Sequence, residues 1–254
     1  MTRVPSPPQR TTPRTNERLE MVHSDVCGPI TPSYGKNRYF ITYIDDYSRY
    51  GRVYFMKNKS ETLEHFKVYK QEMETFTGNK IKHLQTDNGT EYVNGKFQAY
   101  LQEHGIARHL SAPYTPHQNG LAERKNRTLL EKARAMMIDA KAPMHLWAEA
   151  INTANYLSNR SVHRAIENRM PFEKWVLRKP SIHHLHTFGS KAFVLIKGRA
   201  KGSKFAPKAI PGVFVGYSDT SKAYRVYVPN KHNSVISKDV KILHTNFYSD
   251  SIDN

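Results

Sequence analysis

The alternation of apolar and polar positions divides the chain into three stretches. Residues 1–17, MTRVPSPPQRTTPRTNE, hold almost no apolar side chains and many Pro, Thr and Arg, and read as a flexible basic tail. From residue 18 to about 180, strand-like and helix-like periods alternate. RLEMVHSDVCGPI reads as a strand closed by Gly28-Pro29, and RYFITYIDDYSRYGRVYFM as two strands around a solvated turn at 45–49. Ser60 is placed to cap a helix over ETLEHFKVYKQEMETF, which Gly78 ends. Asn94 is placed to cap a second helix over GKFQAYLQEH, which Gly105 ends. KIKHLQT and IARHLSA read as strands. The loop PYTPHQNG leads into a long helix from about Leu121 to Ala140; Pro143 breaks it, and MHLWAEAINTANYLSNR begins another. The order β-β-β-α-β-α-β-α predicts an α/β fold with a mixed sheet flanked by helices. From 181 to 250 the texture changes. KAFVLIK, AIPGVFVGY, AYRVYV and VISKDVKIL are short strands between Gly, Pro, Asn and Lys, the pattern of a small all-β barrel.

Composition narrows the function. The 254 residues carry a formal charge of +17, which predicts a polyanionic partner, nucleic acid before any other. No run of eighteen apolar residues exists to span a bilayer, and no N-terminal stretch has the apolar middle of a signal peptide. The only cysteine, Cys27, excludes an intramolecular disulfide and a multi-cysteine zinc site. It reads as a small packed residue. HHLH at 183–186 has no cysteine partner, and no zinc site is assigned to it.

The candidate chemistry lies in IKHLQTDNGTEYV, residues 81–93. Asn88-Gly89 between two β-like runs is a hairpin signal, and Asp87 in front of it is a natural turn former. Asp25, near the end of the first strand, and Asp87, at the end of the fourth, also suit neighbouring strand ends in a mixed sheet. Thirty-five residues after Asp87 comes Glu123, in the first turn of the long helix. At 100° per residue, Leu129, Ala133, Met136 and Ala140 form its core stripe. Glu123, Arg127 and Arg134 lie beside that stripe. Asp45 and Asp46 belong to the turn between strands and are left out of the site. Glu91 reads as a surface or helix-entry residue.

On the stretches VHSDVCGPI, TDNGTEY, SAPYTPHQNGLAERKNRTLLEKARAM, FGSKAFV and GVFVGY, the chain resembles the integrases of copia-type LTR retrotransposons from residue 19 onward. The resemblance implies an RNase H-like core followed by an SH3-like barrel. It also implies an Asp, Asp, Glu catalytic triad, falling here on Asp25, Asp87 and Glu123. These three would bind two Mg²⁺ or Mn²⁺ ions, Asp25 bridging both, and would serve 3′-end processing and strand transfer on DNA. Clustered carboxylates repel one another, and hard divalent ions relieve that repulsion. The DNA contacts expected are His117, Gln118 and Asn119 in the loop before the helix, Arg124, Arg127 and Arg134 on it, and Lys191 and Lys204 in the barrel. The resemblance further implies a homo-oligomer and a nuclear site of action. The family's His-His-Cys-Cys domain has no counterpart here, so the chain reads as a core plus barrel, either excerpted from a polyprotein or solitary. Ser190 stands where relatives commonly carry Cys. Two other readings stay open: a nuclease of the same fold that cuts without joining, and a DNA-binding remnant without catalysis.

Overall fold

A computed structural model describes residues 15–110, 119–196 and 207–246. The expected tail lies almost wholly outside them. Ten strands and five α-helices are described. The first sheet contains β1 (Met21–Cys27), β2 (Tyr39–Asp45), β3 (Gly51–Met56), β4 (His83–Thr86) and β5 (Ala107–Leu110), in the order β3-β2-β1-β4-β5. The leading meander is antiparallel, while β4 and β5 join parallel to β1. This is the mixed sheet that the order of strands and helices predicts. The turn at Asn88-Gly89 does not open a hairpin; the chain passes instead into a helix that starts at Gly95.

Helices α1 (Thr62–Thr77) and α2 (Gly95–Glu103) cover one face. Phe66, Tyr69, Met73, Phe97 and Leu101 pack there against Val22, Ile41, Tyr43 and Leu84. The Asn94 side chain caps α2 by accepting from the Phe97 N–H, and Gly78 ends α1 in the left-handed region. Ser60 does not cap α1. A 3₁₀ turn at Lys59–Glu61 precedes the helix, and Asn58 with Glu61 form its capping box. Helices α3 (Gly120–Asp139) and α4 (Trp147–Asn159) lie on the other face, and α5 (Pro171–Val176) is short.

The second unit is an all-antiparallel SH3-like sheet in the order β10-β6-β7-β8-β9. Its strands are β6 (Ser190–Leu195), β7 (Ala209–Tyr217), β8 (Tyr224–Val228), β9 (Asn233–Ser237) and β10 (Val240–Asn246). The run VISKDVKIL is therefore two strands rather than one, split at Lys238-Asp239. The sheet is seated on the core. Phe188, Val213, Val215 and Tyr227 share an apolar cluster with Leu129, Trp147, Ile151 and Ala154. Gly216 touches α4 so closely that a Cβ there would lie 2.3 Å from Thr153 Oγ1, and its φ of +145° also favours glycine. Thr153 Oγ1 donates to the Val215 carbonyl at 2.6 Å.

The turn at 45–49 is not solvated. Asp45 is fully buried and accepts from the Leu19 N–H at 2.7 Å and from the Ser48 N–H and hydroxyl at 2.8 and 2.5 Å. Asp46 bridges His23 and Arg49, and these partners hold its carboxyl well below the usual range despite its burial. Both aspartates are structural. They tie the β2–β3 turn to the segment that enters β1.

Candidate functional site

Side chains alternate along a strand, so Asp25 projects to the same face as Thr42, its partner across β1–β2. That is the face covered by α3. Thr42 Oγ1 donates to Asn126 Oδ1 at 2.9 Å, and Asn126 Nδ2 donates to Asp25 Oδ2 at 2.9 Å. Thr42 and Asn126 are buried, so this relay fixes one Asp25 oxygen. Asn126 was not anticipated. The signal was a polar residue three positions before Leu129, within the core stripe of the helix. That stripe is Ala122, Asn126, Leu129, Ala133 and Met137 with Ala140 at the cap; Met136 is only partly buried.

Burial raises the Asp25 carboxyl, the Asp87 charge raises it further, and Glu123 adds to both. The hydrogen bonds from Asn126 and from the Val26 backbone oppose them, and the carboxyl ends up at about 6. The three residues therefore share one electrostatic neighbourhood. Asp87 follows β4, and its Oδ1 accepts the Gly89 N–H at 3.0 Å. It is a turn former as well as a neighbour of Asp25. Glu91 is no surface residue: its side chain is 5% exposed, ion-paired with Lys59 at 3.0 Å, and beside the same turn. Glu123 is exposed in the first turn of α3. Among the described residues, no three His, Cys, Asp or Glu side chains have closed around a common point where a metal ion would sit. The chemistry nonetheless fits a hard cation. The donors are all carboxylate oxygens, and the half-buried Asp25 is pushed toward its neutral form by burial and then by two like charges.

The expected DNA contacts separate into three groups. Arg124, Arg127 and Arg134 are exposed on α3, and Lys191 is half-buried on β6. Asn119 is 1% exposed and donates to the Ser24 carbonyl at 3.1 Å. It ties the start of α3 to β1 and presents almost nothing to solvent. His117, Gln118 and Lys204 lie outside the described residues. On the same helix, Lys125 turns inward toward Gly51 and Asn155, and burial lowers its ammonium to about 7. Lys132 donates to Ser158 Oγ on α4.

Asp25 also makes a measurable prediction. An acid whose folded value exceeds its ordinary 3.8 destabilises the fold wherever it must ionise. That penalty is absent below pH 3.8, grows between 3.8 and 6, and is complete above 6. Asp25→Asn keeps the acceptor for Asn126 and removes the charge. In metal-free buffer it should stabilise the chain by about 1–3 kcal/mol at pH 7.5 and by almost nothing at pH 4. Urea denaturation at the two pH values measures this, and equal midpoints for both proteins at pH 7.5 would contradict it.

Comparison with known proteins follows the same outline. The family description "Integrase core domain" matches residues 15–116, and "Retroviral polymerase SH3-like domain" matches 190–254. The Retrovirus-related Pol polyprotein from transposon TNT 1-94 of Nicotiana tabacum is 41% identical over 223 residues, covering 87% of this chain and 17% of that protein. The corresponding polyprotein from transposon RE2 of Arabidopsis thaliana is 32% identical over 210 residues, covering 83% and 14%. The chain thus spans about a sixth of the length of these relatives. A chain of a simian T-cell lymphotropic virus intasome structure superposes with a TM-score of 0.53 at 16% identity, covering 90% of this chain and 80% of its own. That likeness is one of fold alone. Among the described residues, no helix is long and apolar enough to cross a membrane.

Proposed function

Because the chain belongs to the copia-type retrotransposon integrases, with their core and the SH3-like domain behind it, we propose that it is a polynucleotidyl transferase that processes the 3′ ends of element DNA and joins them to target DNA. The observation that carries this reading is placement: Asp25 lies near the end of β1, Asp87 follows the neighbouring parallel strand β4, and α3, with Glu123 in its first turn, packs on β1; the raised Asp25 carboxyl agrees with it. Asp25, Asp87 and Glu123 would hold two Mg²⁺ or Mn²⁺ ions. When bound, such ions stabilise charge on the attacking and leaving oxygens of an in-line phosphodiester displacement.

The residues themselves do the positioning. Asn126, oriented by Thr42, holds Asp25 Oδ2 in place. Asp87 Oδ1 accepts the Gly89 N–H, which fixes the carboxylate in the turn after β4. Asn119 seats the helix that carries Glu123. Water would attack the phosphodiester near the element's end, and the exposed 3′-hydroxyl would then attack a target phosphate. Each step is a direct displacement at phosphorus, so no covalent enzyme intermediate and no Ser or Cys nucleophile is required. The reaction would take place on nuclear DNA within a homo-oligomer.

Arg124 and Arg127 stand one and four residues beyond Glu123, where a phosphate backbone crossing the site would pass. DNA affinity should fall with salt at a log–log slope of about −0.9 per phosphate neutralised. Arg127→Ala should make that slope shallower by about one such unit without altering the fold. An unchanged slope in a salt titration of DNA binding would move the contact elsewhere. The catalytic reading is tested by Mg²⁺-dependent joining of a labelled DNA end to a target duplex. Cutting without joining would instead identify a nuclease of the same fold.

A further inference from the structure

The catalytic aspartates occupy only part of their sheet face. Two positions before Asp25 on β1 is His23, and two before Asp87 is Gln85 on β4; alternation puts both on the same face as the aspartates. His23 pairs in register with Gln85, and Gln85 pairs with His109 on β5. His83 lies two further positions down β4. The result is a polar row across three strands that begins roughly 7 Å along the strands from the aspartates and reaches roughly 13 Å at His83, at about 3.3 Å per residue. Among the described residues, α3 packs on β1 and β2 and α4 on β3, and Ala107 and His109 on β5 are exposed.

Within this row, His83 Nδ1 and His109 Nε2 lie 3.0 Å apart, with ring centroids 4.9 Å apart and the rings tilted by 65°. One N–H and one lone pair satisfy such a contact when the two rings meet no other donor. The surroundings offer more than that. Gln85, 8% exposed, has a side-chain nitrogen without a hydrogen-bond partner, and so has His23 at Nδ1. Buried polar atoms of this kind are rarely left unmatched. Two imidazole nitrogens on one ion are about 3.3 Å apart, given Zn–N bonds of about 2.0–2.1 Å at a tetrahedral angle. The observed separation needs only a small ring rotation to reach that value.

We propose that His83 and His109 form a binding site for a divalent transition-metal ion of the zinc class, with water filling its remaining positions. Imidazole nitrogen selects such ions, whereas the carboxylates of Asp25, Asp87 and Glu123 suit the harder Mg²⁺. Among the described residues no third His, Cys, Asp or Glu completes the set, so the site is an open one with two protein ligands. It is separate in chemistry from the catalytic carboxylates, and its test does not depend on DNA joining.

The experiment titrates the full chain with Zn²⁺ alone, in the presence of excess Mg²⁺, by competition with a zinc-binding chromophore. The unmodified chain should bind one more equivalent than His83→Gln, and His109→Gln should lose that same equivalent. Asp25→Asn should retain it. Equal zinc stoichiometry and affinity in the unmodified chain and both histidine variants would overturn the proposal. A second measurement needs no variant to fold: ring-nitrogen NMR of the histidines during the titration. Joint shifts of the His83 and His109 ring nitrogens at the first bound equivalent support the site, and an undisturbed pair at saturation overturns it.

Discussion

Asp87→Asn should remove Mg²⁺-dependent cutting and joining of DNA by several orders of magnitude while leaving the fold and DNA affinity in place. The substitution separates the two tasks of this side chain. As a turn former, Asp87 needs only an oxygen to accept the Gly89 N–H at 3.0 Å, and Asn supplies one. As a ligand for a divalent cation it needs its charge, which Asn lacks. The negative charge that raises Asp25 also disappears, so the Asp25 carboxyl should ionise at lower pH in the variant. That shift is measurable by NMR titration without metal or DNA. The assay should include Mn²⁺ and the reversal of strand transfer, because a preassembled branched substrate demands least of protein assembly. Activity in the unmodified chain that persists undiminished in Asp87→Asn would leave the residue as a turn former only.

The sequence made the strand order, the long helix and the spacing of the three carboxylates legible because each is a local signal: a period, a cap or a count. Asn94 and Gly78 act as the local rules say. What stayed hidden depends on partners far away in the chain. Asp45 looked like a turn residue, and it is one, but the Leu19 N–H that buries it comes from 26 residues earlier. Asn126 carries no local mark of its role, since Thr42 and Asp25, 84 and 101 residues away, give it one. Asn119 reads locally as one of the loop residues that meet DNA, and a carbonyl on β1 claims its side chain instead. Lys125 carries no local mark that sets it apart from Arg124 and Arg127; the approach of α3 to Gly51 and Asn155 decides that it points inward.

The least legible feature was the mounting of the SH3-like sheet on the core, and it carries the second large effect. Glu149 on α4 is 4% exposed and accepts four hydrogen bonds. Two come from Arg225 on β8, at 2.8 and 2.6 Å, one from Ser234 on β9 at 2.9 Å, and one from the Tyr34 hydroxyl at 2.5 Å. Glu149→Ala leaves a largely buried guanidinium and two hydroxyls without their acceptor, and should cost about 3–5 kcal/mol. Glu149→Gln, which keeps an acceptor, should cost less. Asp219→Ala removes another ion pair across this interface, to Arg52 at 3.4 Å, but the Asp219 side chain is 43% exposed. That loss should stay within about 1 kcal/mol. The location of the loss matters as much as its size. The apolar cluster joining Val213, Val215 and Tyr227 to Trp147, Ile151 and Ala154 is continuous across the two sheets, so they should unfold together. Urea denaturation of Glu149→Ala should therefore show one transition at a lower midpoint, whether followed by far-UV circular dichroism or by fluorescence of Trp147 and Trp175 in the core. Two separated transitions, with the core unfolding at its original midpoint, would mean that the SH3-like sheet is carried by the core and does not support it. A single shifted transition would mean that the two sheets fold as one cooperative unit, with the sheet of β6–β10 helping to hold the core through the shared apolar cluster.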